Sequence, residues 1–122
     1  MIIYTATYEE WNKIKDKDGF ASKDLDTEGF IHCSYPRQTT GVLNKHFKNE
    51  KKVMLLCIDP DLLTSEWKSE DLKGKGEEFP HVYGEINTDS IIKVIEIKPS
   101  KDGVFYENNI ISLPTLLNNI EK

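Results

Sequence analysis

The run Lys52-Val53-Met54-Leu55-Leu56-Cys57-Ile58 constrains this chain most. It is the most hydrophobic stretch, and residues of this kind in an unbroken row predict a central strand. Asp59-Pro60 ends it, because the residue before a proline is biased away from continuing regular structure. A sheet must be built around such a strand. At 122 residues the chain has room for one core, so a single domain over 1–122 is expected, folded without disulfides or a structural metal.

The remaining elements follow from periodicity and punctuation. Ile2-Ile3-Tyr4-Thr5-Ala6 is rich in strand formers and opens the fold as a strand. Thr7, with Glu10 three residues on, makes a capping box that starts a helix, and Trp11 and Ile14 fall on one side of it. Residues 15–19 read as a charged turn and 20–27 as an irregular connection. Residues 28–34 are strand-like, with Ile31 and Cys33 on one face and Phe30, His32 and Ser34 on the other. Pro36 suits the first turn of a second helix reaching Phe47, with Val42, Leu43, His46 and Phe47 turned inward. A short edge strand is expected over 66–70, a mobile loop over 71–78 and a strand over 90–98. A turn follows at Lys101-Asp102-Gly103, and then a terminal helix over 112–120. Strands outnumber helices and do not alternate with them regularly, so the expected class is α+β with antiparallel sheets and two or three short helices.

Charge and composition narrow the partners. A net charge of −5 argues against tight, nonspecific nucleic-acid binding, which needs a broad basic surface. The cluster Lys45, Lys48, Lys51 and Lys52 reads as a solvated helix end and loop. Met1-Ile2-Ile3 runs straight into polar residues, and no apolar run approaches the ~20 residues that span a bilayer, so a cytoplasmic protein without membrane contact is expected. Cys33 and Cys57 lie in apolar stretches and are expected as reduced, buried thiols.

Two segments carry the chemistry. His32 shares a strand face with Ser34, whereas its neighbour Cys33 points the other way, which makes a Cys33–His32 dyad geometrically poor. Alone, a strand histidine serves more often as a hydrogen-bonded structural residue. His81 stands in Phe79-Pro80-His81-Val82-Tyr83-Gly84, where Pro80 stiffens the backbone and Gly84 permits close approach. Phe79 and Tyr83 are placed to stack on a flat ring such as nicotinamide or a base, and a rigid aromatic turn fits the same residues equally. Arg37, the only arginine, stands at the start of the second helix, where its fork and the helix amides suit a phosphate. His32, Cys33, His46 and His81 show no metal-ligand spacing, and no metal is expected.

Ile3-Tyr4, Glu10-Trp11, Leu25-x-x-Glu28-Gly29-Phe30-Ile31-His32-Cys33-Ser34, Gln38, Leu56-x-Ile58-Asp59 and Phe79-Pro80-His81-Val82-Tyr83-Gly84 occur in this order. Over residues 2–98 the chain resembles the domain of unknown function 952 family, leaving 99–122 as a C-terminal extension. That family is grouped with the ADP-ribosyltransferase-like superfamily, in the branch similar to RNA 2'-phosphotransferase. The resemblance implies split antiparallel sheets around a cleft, with NAD as the cofactor in active members. It maps a second-strand histidine onto His32 and puts His81 in the paired motif. Both are therefore candidate catalytic residues, with Tyr4, Thr5, Ser34, Arg37, Gln38, Phe79 and Tyr83 as ligand-binding candidates. The family's first-strand histidine position is Thr5 here, and Glu77, Glu78 and Glu85 are the nearby candidates for the superfamily's catalytic glutamate. Two functions follow from the resemblance. One is an NAD-using ADP-ribosyl- or phosphotransferase; the other is a module that binds a nucleotide or related small molecule without turning it over.

Overall fold

The computed structural model describes residues 1–106, and the terminal helix expected over 112–120 lies outside them. The class is α+β, with antiparallel strands and short helices. In chain order the elements are β1 (Ile2–Thr7), α1 (Tyr8–Ile14), β2 (Gly19–Phe20), α2 (Lys23–Glu28), β3 (Ile31–His32) and α3 (Thr39–His46). There follow β4 (Val53–Ile58), β5 (Trp67–Glu70), β6 (Phe79–Val82), β7 (Ile86–Asn87) and β8 (Ile91–Ile97). No helix among the described residues is long and apolar enough to cross a membrane.

The apolar run is the central strand β4, lying between β1 and β8 with both pairings antiparallel. All six of its residues are buried, because the sheet is covered on both sides. Met54, Leu56 and Ile58 join one cluster with Ile2, Tyr4, Ile31, Cys33 and Val82. Val53, Leu55 and Cys57 join a second cluster with Ile3, Leu43, Ile97 and Phe105. Phe105, beyond the expected family region, is fastened to α3 by two bonds: its N–H donates to Asn44 Oδ1 at 2.8 Å, and its carbonyl accepts from Asn44 Nδ2 at 2.7 Å.

A second sheet, ordered β3-β6-β5, carries the histidine segments, and β5 is its edge as expected. Cys33 N–H donates to the Pro80 carbonyl at 3.0 Å, but proline has no N–H to return, so the β3–β6 ladder stops there. The next residue, Ser34, pairs instead with Ile3 of β1, exchanging bonds of 2.8 and 2.9 Å. One missing donor thus accompanies the crossing of the chain from one sheet to the other.

Several local expectations are corrected. Residues 20–27 are not irregular, since they hold the end of β2 and most of α2. Helix α2 buries no residue, so it has no apolar stripe to betray it. The helix expected from Pro36 divides into a 3-10 turn, Pro36–Gln38, and then α3. The division is local: Gln38 N–H bonds the Tyr35 carbonyl three residues back, and Gln38 Oε1 accepts from Tyr35 N–H. His46 is exposed; the inward stripe runs through Thr39 and Leu43 to half-buried Phe47, and His46 falls beside it. Thr7 caps α1 by accepting from Glu10 N–H at 3.1 Å, but the Glu10 carboxylate does not complete the box, because it accepts the Tyr4 hydroxyl at 2.7 Å. The loop over 71–78 also carries bonds of its own: Asp71 accepts from the N–H groups of Lys75 and Gly76, and Gln38 Nε2 donates to Glu77 and to the Glu78 carbonyl.

Candidate functional site

His32 and His81 are direct partners across β3 and β6. The flanking pair Cys33–Pro80 carries the N–H to carbonyl bond, so the histidines occupy a non-hydrogen-bonded position, where cross-strand side chains lie closest. Their ring centroids are 5.5 Å apart and nearly perpendicular. Phe30 stacks on His81 at 4.1 Å, meets His32 edge-on at 4.8 Å and lies 5.5 Å from Tyr83. Four rings, two on the paired strands and two just beyond their ends, form one patch, and the opposite face goes into the core through Ile31, Cys33 and Val82.

Each imidazole is held through the same nitrogen by a carboxylate. His32 Nδ1 lies 2.8 Å from Asp24 Oδ2 and 3.4 Å from Glu28 Oε2, both on α2. His81 Nδ1 lies 3.1 Å from Glu70 Oε1 on β5, and the Tyr83 hydroxyl donates to that same oxygen. The bonds from Tyr83 and His81 hold the Glu70 carboxyl below the usual carboxylate range, and the Tyr83 phenol is correspondingly raised. Nδ1 anchoring by carboxylates sets ring orientation and leaves the second ring nitrogen of each histidine without a protein partner among the described residues. The two histidines differ in access: the side chain of His32 is 45% exposed and that of His81 only 6%.

The antiparallel register extends the patch. Lys68 is directly opposite His81, and its ammonium sits 5.2 Å above the Tyr83 ring. Thr5 Oγ1 and Ser34 Oγ are both buried and, among the described residues, have no hydrogen-bond partner. Buried hydroxyls are normally satisfied, so these two mark a polar spot at the fork between the sheets.

Other expected site residues are placed elsewhere. Tyr4 faces the opposite cluster, where burial and the bond to Glu10 push its phenol well up. Gln38 is buried and spends its amide on Tyr35, Glu77 and Glu78, holding the loop end of the β5–β6 hairpin. The Arg37 guanidinium lies 4.9 Å over Tyr35, whose hydroxyl donates to Ser69 of β5. Phe79 is half-buried opposite Glu70, while Phe30 is the ring stacked on His81. Glu77 accepts from Gln38 and Glu78 accepts from Ser69; the carboxylates at the histidines are Asp24, Glu28 and Glu70. Asp24 and Glu28 precede His32 at four-residue steps, a spacing legible in the sequence, whereas Glu70 required the strand register. Gly84 allows the close approach expected of it, since a Cβ there would meet Ser65 Oγ at 2.5 Å. Burial pushes the Cys33 thiol up to about 12, which leaves it un-ionised and unreactive near neutral pH. A cavity of about 400 Å³ opens between Tyr8, Glu9, Asn49, Glu50, Lys51 and Lys52 and includes none of the expected site residues.

Residues 5–94 match the model of the family described as protein of unknown function, DUF952. The chain belongs to the DUF952 family. The crystal structure of protein CC0527 from Caulobacter crescentus is similar, with a TM-score of 0.78 at 25% identity over 91% of this chain and 97% of that one. The solution NMR structure of CC0527 has the same fold, with a TM-score of 0.73 at 23% identity over 92% and 97% of the two chains. No curated protein sequence matches. The DUF952 match takes in both histidines and the three carboxylates that touch them, and ends before Phe105.

Proposed function

We propose that the histidine face binds a nucleotide-type ligand, with NAD as the leading candidate, and acts on it as an ADP-ribosyltransferase-like transferase. The observation that supports this reading is the four-ring patch of Phe30, His32, His81 and Tyr83 ringed by Asp24, Glu28 and Glu70. Aromatic faces suit a flat ring, and nearby carboxylates favour one that is positively charged, as nicotinamide is in NAD. When nicotinamide leaves as a neutral ring, positive charge develops on the ribose. Fixed carboxylates stabilise that charge without a strong acid. His32, the more exposed imidazole, contacts the ribose, and Lys68 beside His81 meets a phosphate.

The second reading is a binding module without turnover, and it is favoured by Thr5. A hydroxyl stands where the related proteins' first-strand histidine is expected, and it does not protonate near neutral pH. Ligand-observed NMR with NAD, ADP-ribose and phosphorylated nucleotides tests binding, and nicotinamide release tests turnover. Binding that is lost in Phe30→Ala and His32→Gln supports the site. One transition-state contact is worth ~2–4 kcal/mol, so Thr5→His should raise turnover by about 10²-fold or more while affinity changes less. Binding without nicotinamide release in either chain selects the binding module. Absence of binding by every compound overturns both readings.

A further inference from the structure

Asp24, Glu28 and His32, which the nucleotide reading uses for their charge and for a ribose contact, also form a donor set of their own beside the histidine face. Asp24, Glu28 and His32 follow one another at four-residue steps, and one donor atom from each lies within 4.8 Å of the others. The two distances to the imidazole nitrogen are 2.8 and 3.4 Å. Donors bound to a first-row cation at about 2.1 Å lie roughly 3.0 to 3.4 Å apart at angles between about 90° and 109°. The three side chains are 43–48% exposed, which leaves room for an ion and its remaining waters.

The electrostatics carry an independent signal. Nδ1 can donate only one hydrogen, and the short contact assigns it to Asp24. The Glu28 carboxylate therefore converges on the same nitrogen without a hydrogen bond from it. Asp24 and Glu28 are like charges at i and i+4, a pairing that destabilises a helix. Glu28 is also the last residue of α2, at the negative end of the helix dipole, and the last turn of α2 has no basic residue. Such an arrangement costs stability in the protein alone, and a cation between the two carboxylates offsets it.

The geometry points to a divalent first-row cation site formed by Asp24, Glu28 and His32. One imidazole nitrogen and two carboxylate oxygens suit Zn²⁺ or Mn²⁺ better than Ca²⁺, which takes oxygen ligands. The remaining positions are open to water or to an anionic ligand group lying on the histidine face.

The test uses the full chain without nucleotide, so its outcome stands apart from the NAD reading. Zn²⁺ is titrated by calorimetry, and Mn²⁺ is followed by paramagnetic broadening of backbone amide signals. The expected result is one equivalent of Zn²⁺, with Mn²⁺ broadening centred on residues 24, 28 and 32. Removing a mere supporting partner of a metal ligand costs about 10–100-fold, so Glu28→Gln should weaken binding by about a hundredfold. Asp26→Asn, which alters the same helix outside the trio, should leave binding unchanged. Glu28→Gln also keeps the Asp24–His32 bond, so a trio serving only to hold the imidazole predicts no titratable cation at all. The proposal is overturned if Zn²⁺ fails to bind, if Mn²⁺ broadens other carboxylates instead, or if Asp26→Asn and Glu28→Gln weaken binding equally.

Discussion

One oxygen of Glu70 accepts from both His81 Nδ1 and the Tyr83 hydroxyl, so this side chain couples two rings of the patch. The bond stabilises the charged carboxylate and the neutral phenol together, which moves their titrations apart. For Glu70 the folded value lies below the unfolded one of about 4.3, so its contribution to stability is present above that pH. It is lost as pH falls through the lower, folded value. For Tyr83 the folded value lies above about 10, so that contribution holds below pH 10 and is lost in stronger alkali. Glu70→Gln should therefore bring the Tyr83 titration back towards about 10 and remove part of the acid sensitivity of folding. With five tyrosines in the chain, carbon-labelled tyrosine NMR is needed to follow Tyr83 by itself. An unchanged Tyr83 titration in Glu70→Gln would show that the shared oxygen does not operate in solution.

At the scale of elements, the site depends on how β3 is started and stopped. It is led into by Gly29, which ends α2 with φ of 85° and donates to the Leu25 carbonyl at 3.1 Å. This left-handed position turns the chain from the helix bearing Asp24 and Glu28 into the strand bearing His32. A Cβ on Gly29 would meet nothing within 4 Å, so the cost of Gly29→Ala is conformational, about 1–2 kcal/mol. Gly41 also has open space but lies inside α3, where alanine is the better helix former. Gly41→Ala should stabilise by about 0.5–1 kcal/mol. Urea unfolding of the two variants should thus move in opposite directions, and a shared direction would contradict the backbone argument. The strand stops at Pro80, whose missing N–H closes the β3–β6 ladder and is followed by the crossing of Ser34 to β1.

For the whole molecule, stability rests on β4 and the two clusters that flank it. Leu55 is fully buried in the cluster completed by Leu43, Ile97 and Phe105. Leu55→Ala leaves a cavity among neighbours held on both sides and should cost about 2–5 kcal/mol. Leu62 is 48% exposed, and Leu62→Ala should stay within about 0.5 kcal/mol. Denaturant unfolding measures both, and similar losses would mean that the second cluster does not support the sheet. The histidine face lies on a sheet whose opposite side contributes Ile31, Cys33 and Val82 to the first cluster, so the site is backed by core rather than by loops.

The sequence by itself determined the features that depend on near neighbours along the chain. The unbroken apolar run of β4, the Thr7 cap, the edge strand β5 and the turn at Gly103 all follow from local pattern and backbone chemistry. So did the alternation that turns Cys33 into the core and His32 away from it. Helix α2 escaped because it is short and sets only Leu25, half-buried, against the core, which leaves no periodicity to read. Only the tertiary structure decided what touches the histidines. His32 and His81 meet because two strands 49 positions apart share a register, and Glu70 reaches His81 from a third strand in the same row system. Tertiary packing likewise placed Tyr4 in the first cluster and bonded the Gln38 amide to Glu77 and Glu78, next to β6. Cross-strand pairing has no fixed sequence separation, so residue spacing alone cannot encode it.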